Sequence, residues 1–107
     1  MVSMLKQIKE VLLTVSPKVF HYEADGQNDK YIVWAEDSEG SSLEADNKKL
    51  YKTIQGTIDY FTKADEDETV TRIENALTEA EISYSLNSVQ YEDDTKFIHY
   101  EWLFEVM

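Results

Sequence analysis

The residues of this chain best equipped for chemistry are its two histidines, His21 and His99, and its many carboxylates. An imidazole can ligate a metal or move a proton near neutral pH, but a metal site needs further ligands converging on one point. His21 and His99 fall in different segments with no ligand spacing between them. His99 stands between Phe97 and Glu101 in a run of alternating character, which suits a surface or interface histidine. Glu101 and Glu105 could be read as a glycosidase pair, yet that chemistry needs one acid raised by an apolar setting and a second several ångströms away. With Leu103 between them on one side of a strand, a solvated or subunit-facing edge is the simpler reading. None of Ser38, Ser41, Ser42, Ser83, Ser85 and Ser88 lies in a G-x-S-x-G elbow. The sequence therefore assigns no catalytic, cofactor-binding or metal-ligating residue, and the expectation is a protein that is not an enzyme.

Asp65 to Glu68, DEDE, is the densest acidic run in a motif-like position. A calcium loop would place oxygen ligands at alternating positions with a glycine at the sixth, and neither is present. Directly after it, Val70, Ile73, Leu77 and Ala80 recur at helical spacing, so the acids sit where negative charge is favourable, at a helix N-terminus. Asp65 and Glu68 have the spacing of a capping box. The run is expected to start a helix.

These residues are positioned by a small number of elements. In Lys96 to Met107, KFIHYEWLFEVM, the residues Ile98, Tyr100, Trp102, Phe104 and Val106 take every second place. Period two predicts a strand with one apolar face and, through Phe97, His99, Glu101, Leu103 and Glu105, one mixed polar face. The apolar face needs a cover, which only two amphipathic segments can supply: Met4 to Val15, with Leu5, Ile8, Leu12 and Val15 in one stripe, and Glu66 to Ala80. Ser3 can cap the first, and Ser16-Pro17 should end it. Short strands are expected at Val19 to Tyr22 and Tyr31 to Glu36, with a turn between them, and a longer one at Tyr51 to Thr62, where Ile54, Gly56, Ile58 and Tyr60 share a face. Gly56 signals a bulge, the close approach of another backbone, or a gap beneath a helix. Asp37 to Leu50 reads as a long polar loop of the kind that is functional or mobile. The fold class is α+β: a single domain over residues 1–107, mainly an antiparallel sheet of about four to five strands with two helices packed on one face.

The last two strands set a register problem. With a turn at Glu92 to Thr95, a regular ladder from Ile82 to Tyr91 would put its apolar residues on opposite faces. One extra residue near Asn87-Ser88 resolves the conflict, with Leu86 opposite Tyr100, Tyr84 opposite Trp102 and Ile82 opposite Phe104. The predicted core is Leu5, Ile8, Leu12, Ile54, Ile58, Val70, Ile73, Leu77, Tyr100, Trp102 and Phe104.

Composition bounds the function. Ten Lys and Arg against 22 Asp and Glu give a formal charge of -12, which repels phosphate backbones and anionic lipid; specific nucleic-acid binding and membrane association are disfavoured. The doublet Lys48-Lys49 with Lys52 is a weak exception. With no cysteine there is no disulfide or thiolate chemistry, which fits a reducing compartment. Lys6, Gln7, Lys9 and Glu10 interrupt the N-terminal apolar residues, so neither a signal peptide nor a membrane span is expected there.

The run GTIDYFTKADEDETVTRIENAL followed by ISYSLNSVQYEDDTKFIHYEWLFEV resembles the tail-completion proteins of long-tailed bacteriophages and prophages, the tail-terminator or head-tail joining group also described as minor capsid or minor tail proteins. The matching elements are Tyr60-Phe61-Thr62, the acidic cap Asp65 to Glu68, the turn Tyr91 to Thr95, and His99-Tyr100-Glu101-Trp102. They cover the C-terminal half; the N-terminal half agrees in layout. The resemblance implies a structural virion protein without catalytic residues or cofactor, assembling as a homohexameric ring that caps the tail tube. Its partners would be further copies of itself, the major tail tube protein and the head connector protein. It implies a place in the host bacterial cytoplasm during assembly, then in the tail or neck of the particle. A negative lumen would let DNA slide without sticking.

A different class remains open: an acidic protein-binding inhibitor or DNA mimic, whose carboxylates would form a regular array on one face. Here they are scattered over loops and the helix cap. If the chain does self-associate, strand edges and the long loop are the expected contacts, with Leu43 and Leu50 as anchors of the assembly interface unless both fold back on their own domain.

Overall fold

A computed structural model describes residues 4–39, 44–45, 48–49 and 53–106. The chain order is α1 (Met4–Leu13), β1 (Val19–His21), β2 (Tyr31–Glu39), β3 (Glu44–Ala45), β4 (Lys48–Lys49), β5 (Ile54–Thr62), α2 (Glu68–Glu79), β6 (Ser83–Tyr91) and β7 (Ile98–Val106). Five strands form one sheet in the order β1-β2-β5-β7-β6, and β3 pairs with β4 separately. All neighbours in the main sheet are antiparallel except β1 and β2, which run parallel. The α+β class and the single helix-covered sheet are as the sequence predicts.

Helical spacing brings Ile8 and Leu12 of α1 and Ile73 and Leu77 of α2 onto the sheet, where all four are fully buried. They meet Ile32, Trp34, Ile58, Tyr60, Trp102, Phe104 and Val106, with Leu5, Ile54, Val70 and Tyr100 packed at the margin. Every predicted core residue is thus in the core or against it. Ile32, Trp34, Tyr60, Ile82 and Val106 complete it. Burying this much apolar surface is the main favourable term in folding.

The helix ends follow their local chemistry. After α1 the amides of Val15 and Ser16 both reach the carbonyl of Leu12, at 3.0 and 3.1 Å, and the chain leaves the helix before Pro17. Ser3, the expected cap, lies outside the described residues. At α2 the cap is Asp67 rather than Asp65, because Asp67 is the acid that accepts the Thr69 amide, at 2.9 Å. The helix closes with Ile82 N–H on Leu77 C=O and Glu81 N–H on Thr78 C=O, the two bonds of a Schellman motif, with Glu81 at φ 59°. This explains the near-direct passage from helix to strand: Leu77 and Ile82, the motif's hydrophobic pair, are both in the core.

Gly56 stands where β2 bulges between Glu36 and Ser38. A Cβ there would lie 2.0 Å from the Ala35 carbonyl oxygen and 2.8 Å from Phe104, so close backbone approach is the reason for glycine. The polar interval after Glu36 is less irregular than expected: β2 continues to Glu39, and Glu44–Ala45 pairs with Lys48–Lys49.

In the terminal hairpin the ladder shifts between Leu86 and Ser88, at the predicted bulge. The register differs from expectation by two residues, with Leu86 opposite Trp102 and Tyr84 opposite Phe104. The cause is the turn. Glu92 N–H bonds Phe97 C=O at 2.9 Å, Lys96 adopts φ 69°, and β7 begins only at Ile98. A two-residue shift preserves the pleat, so the apolar faces still coincide.

Candidate functional site

The strand pairings put the two histidines on opposite faces of the sheet. His21 is level with Trp34, which faces the helices and pairs with Ile58. Its ring stacks on Trp34 at 3.9 Å and on Tyr22 at 4.3 Å, and its Nε2 meets Glu36 Oε1 at 2.5 Å. Partial burial works against the Glu36 charge, but the hydrogen bonds from His21, the backbone and Tyr22 together outweigh it and hold the carboxyl below its ordinary pKa.

His99 occupies the outer face, three residues from the buried Trp102 on β7. Its Nε2 lies 2.7 Å from Asp59 Oδ1 on β5, and its Nδ1 lies 3.7 Å from Glu92. The hydrogen bond to Asp59 raises its pKa above the usual histidine value, against the desolvation that lowers it. Carboxylates on both ring nitrogens suit an imidazolium that ties β5, β7 and the hairpin turn together. Nucleophilic chemistry would instead need a hydroxyl or thiol on one nitrogen. The imidazole also stacks on Phe61 at 4.2 Å, and Phe61 stacks on Tyr31 at 4.6 Å. Lys63 sits over the ring of Phe97, 4.9 Å from its centroid, and Phe97 itself is buried. The outer face, expected to be mixed and polar, thus carries an aromatic cluster at one end of the sheet.

Glu101 and Glu105 are each tied to neighbouring strands. Asn87, the extra residue of the bulge, donates its amide to Glu101 at 2.7 Å, while Gln55 donates to Glu105 at 3.4 Å. This is carboxylate satisfaction on a sheet face, not an acid poised in an apolar setting. Among the described residues no group of three or more His, Asp or Glu side chains could hold a metal ion, and no helix is long and apolar enough to cross a membrane.

The acidic run before α2 is organised by Asp67. Its carboxylate accepts the Thr69 amide, the Thr62 hydroxyl at 2.7 Å and the Tyr60 hydroxyl at 2.5 Å. Burial opposes its charge, and these donors overcome that opposition, bringing its pKa down to about 2. Burial together with the same carboxylate pushes the Tyr60 phenol up to about 12. Asp67 is therefore a structural clamp between β5 and α2. Leu43 and Leu50, the predicted assembly anchors, lie outside the described residues.

What sequence reasoning missed is the character of the sheet edges. On β6, Leu86, Val89 and Tyr91 are 49, 50 and 58% exposed. At the other end of the sheet, α1 and β1 frame an apolar groove lined by Leu5, Leu13, His21 and Trp34. The sequence signal was present in the alternation of SYSLNSVQY, but only the strand order shows that this alternation falls on an edge.

No family model and no curated protein matches the chain. Among solved structures, a chain from the virion of a native gene transfer agent (GTA) particle has the same fold, with a TM-score of 0.58 and 11% sequence identity. That likeness covers 97% of this chain and 90% of the other. A second structure, from work on the molecular mechanism of H-NOX activation, overlaps at a TM-score of 0.44 and 13% identity, covering 94% of this chain and 44% of that one.

Proposed function

We propose that this chain is a structural protein of a phage or prophage particle, and more specifically a tail-completion protein. It caps the tail tube and joins the tail to the head connector as an oligomeric ring, a homohexamer by analogy with the group its C-terminal half resembles. The observation that carries the reading is the likeness to a virion component over nearly the full length of both chains. The residues behind the sequence resemblance add support, since they fall at the joints of that fold: Tyr60-Phe61-Thr62 ends β5, Asp67 caps α2, and Tyr91 to Thr95 leads from β6 towards β7.

The partners under this reading are further copies of the chain, the tail tube protein and the connector. The chain assembles in the host bacterial cytoplasm, ends in the tail or neck of the particle, and performs no catalysis. With a formal charge of -12, it lets DNA pass instead of holding it. Deleting the gene from its phage or prophage tests the proposal. The expected lysate contains filled heads and separate tail tubes of uncontrolled length; intact tailed particles at normal yield would overturn it.

A further inference from the structure

Strand β6 is the last strand of the sheet, paired through one side with β7. From Ser83 to Tyr91 it contains no Asp, Glu, Lys, Arg or Pro, although 30% of the whole chain is charged. Edge strands are normally protected from pairing by inward charges, prolines or short length. This nine-residue edge has only the bulge at Asn87, whose amide is turned onto Glu101. Its helix-side residues Leu86 and Val89 are half exposed because the helices do not reach them.

The opposite edge has a complementary form. β1 is three residues long, and beside it the groove under α1 presents Leu13, 43% exposed, with Lys6 and Lys9 on its rim. Glu10 at the same rim pairs with Lys6. Lys18 directly precedes β1, while Glu81 precedes β6 and Glu92, Asp93 and Asp94 follow it. The β6 edge is thus bordered by carboxylates, and the β1 edge by lysines at its groove and its Lys18 end, with Glu23 following β1 at the other end. Strand direction also fits. β1 is parallel to β2, and three antiparallel steps lead from β2 to β6, so β1 and β6 run in opposite senses. A second copy set beside the first by a rotation would lay its β1 antiparallel to β6, with both helical layers on the same side. The Lys18 end of one copy would then meet the Glu92 to Asp94 end of its neighbour.

We propose that β6 of one copy pairs head to tail with the α1–β1 edge of the next, Leu86 and Val89 entering the groove beside Leu13. This rests on the ring reading above and names its contact. A heterologous contact of this kind uses two different surfaces and closes only as a ring.

Light scattering on the full-length chain and three variants tests it. Leu86→Lys and Val89→Lys each charge the β6 half, and Leu13→Glu charges the groove half; unchanged circular dichroism melts establish that the variants fold. The wild type should form oligomers at millimolar protein and high salt. Each variant alone should be monomeric, with a dissociation constant raised at least about tenfold. An equimolar mixture of Leu86→Lys with Leu13→Glu should recover assembly to dimers or larger, since each variant retains the half the other lacks and the two altered halves carry opposite charges. If the β6 variants are monomeric but Leu13→Glu assembles normally, β6 pairs with itself and the head-to-tail contact is overturned. If all three variants assemble like the wild type, this contact is overturned while the ring survives. A wild type that stays monomeric under every condition removes both.

Discussion

Replacing Asp67 with alanine should be among the most damaging single changes outside the hydrophobic core. Three donors lose their acceptor at once: the Thr69 amide and the hydroxyls of Tyr60 and Thr62, both of which are almost completely buried. Loss of the cap costs about 1 kcal/mol. Each buried hydroxyl left unsatisfied costs about 1 to 3 kcal/mol, less whatever water entry recovers. The expected total is about 3 to 5 kcal/mol, in a domain whose stability is about 5 to 15 kcal/mol. With a urea slope of about 1 to 2 kcal/mol/M, the midpoint should fall by about 1.5 to 5 M.

Two further readouts separate this clamp from a simple helix cap. Tyr60→Phe should destabilise the wild type by about 1 kcal/mol but be neutral or stabilising alongside Asp67→Ala, because it then removes an orphaned donor. The second is pH. The folded pKa of Asp67, about 2, lies below its ordinary 3.8. Its contribution is therefore present above the unfolded pKa and lost as pH falls from there through about 2, so Asp67→Ala should flatten the acid limb of the stability curve. An Asp67→Ala cost near 1 kcal/mol, with Tyr60→Phe costing the same in both backgrounds, would refute the clamp.

Trp102 is fully buried and donates its indole N–H to Glu74 at 2.9 Å, so Trp102→Ala should cost about 3 to 5 kcal/mol in urea titration; a cost below about 1 kcal/mol would place it outside the core. Gly56→Ala should cost about 3 kcal/mol or more, since the new methyl meets backbone atoms at 2.0 and 2.8 Å that cannot rotate aside; a thermal midpoint equal to wild type would contradict the close approach. His99 has a folded pKa above its ordinary value, so its contribution is complete below about pH 6.5 and fades as pH rises through the folded pKa. His99→Gln should remove that part of the decline, and equal slopes for variant and wild type from about pH 6 to about pH 9 would show that the ion pair with Asp59 and Glu92 carries no stability.

What was legible in the sequence was whatever depends on local periodicity. The faces of β7, the stripes of α1 and α2, and the bulge at Asn87 all follow from side-chain parity, because an apolar set cannot lie on two faces at once. Long-range pairing was not legible. Nothing in Val19–His21 or Tyr31–Glu39 states that they run parallel, or that β5 lies between β2 and β7. Ile32 and Trp34 escaped the predicted core because YIVWAE alternates weakly, its other side facing the aromatic cluster through Tyr31. Asp67 was passed over for Asp65 since adjacent acids have the same capping chemistry, and only the positions of Tyr60 and Thr62 single one out. The exposed face of β6 required the strand order, and Leu43 and Leu50 fall outside the described residues.

The central claim, that this chain ends a tail tube, is tested most directly by adding it to the tail tube protein of its own phage during polymerisation. Electron microscopy of gold-labelled chain should show label at one end of each tube and a tube length that shortens as more chain is added. Tubes that grow to the same length with and without the chain, carrying no label at their ends, would contradict the claim.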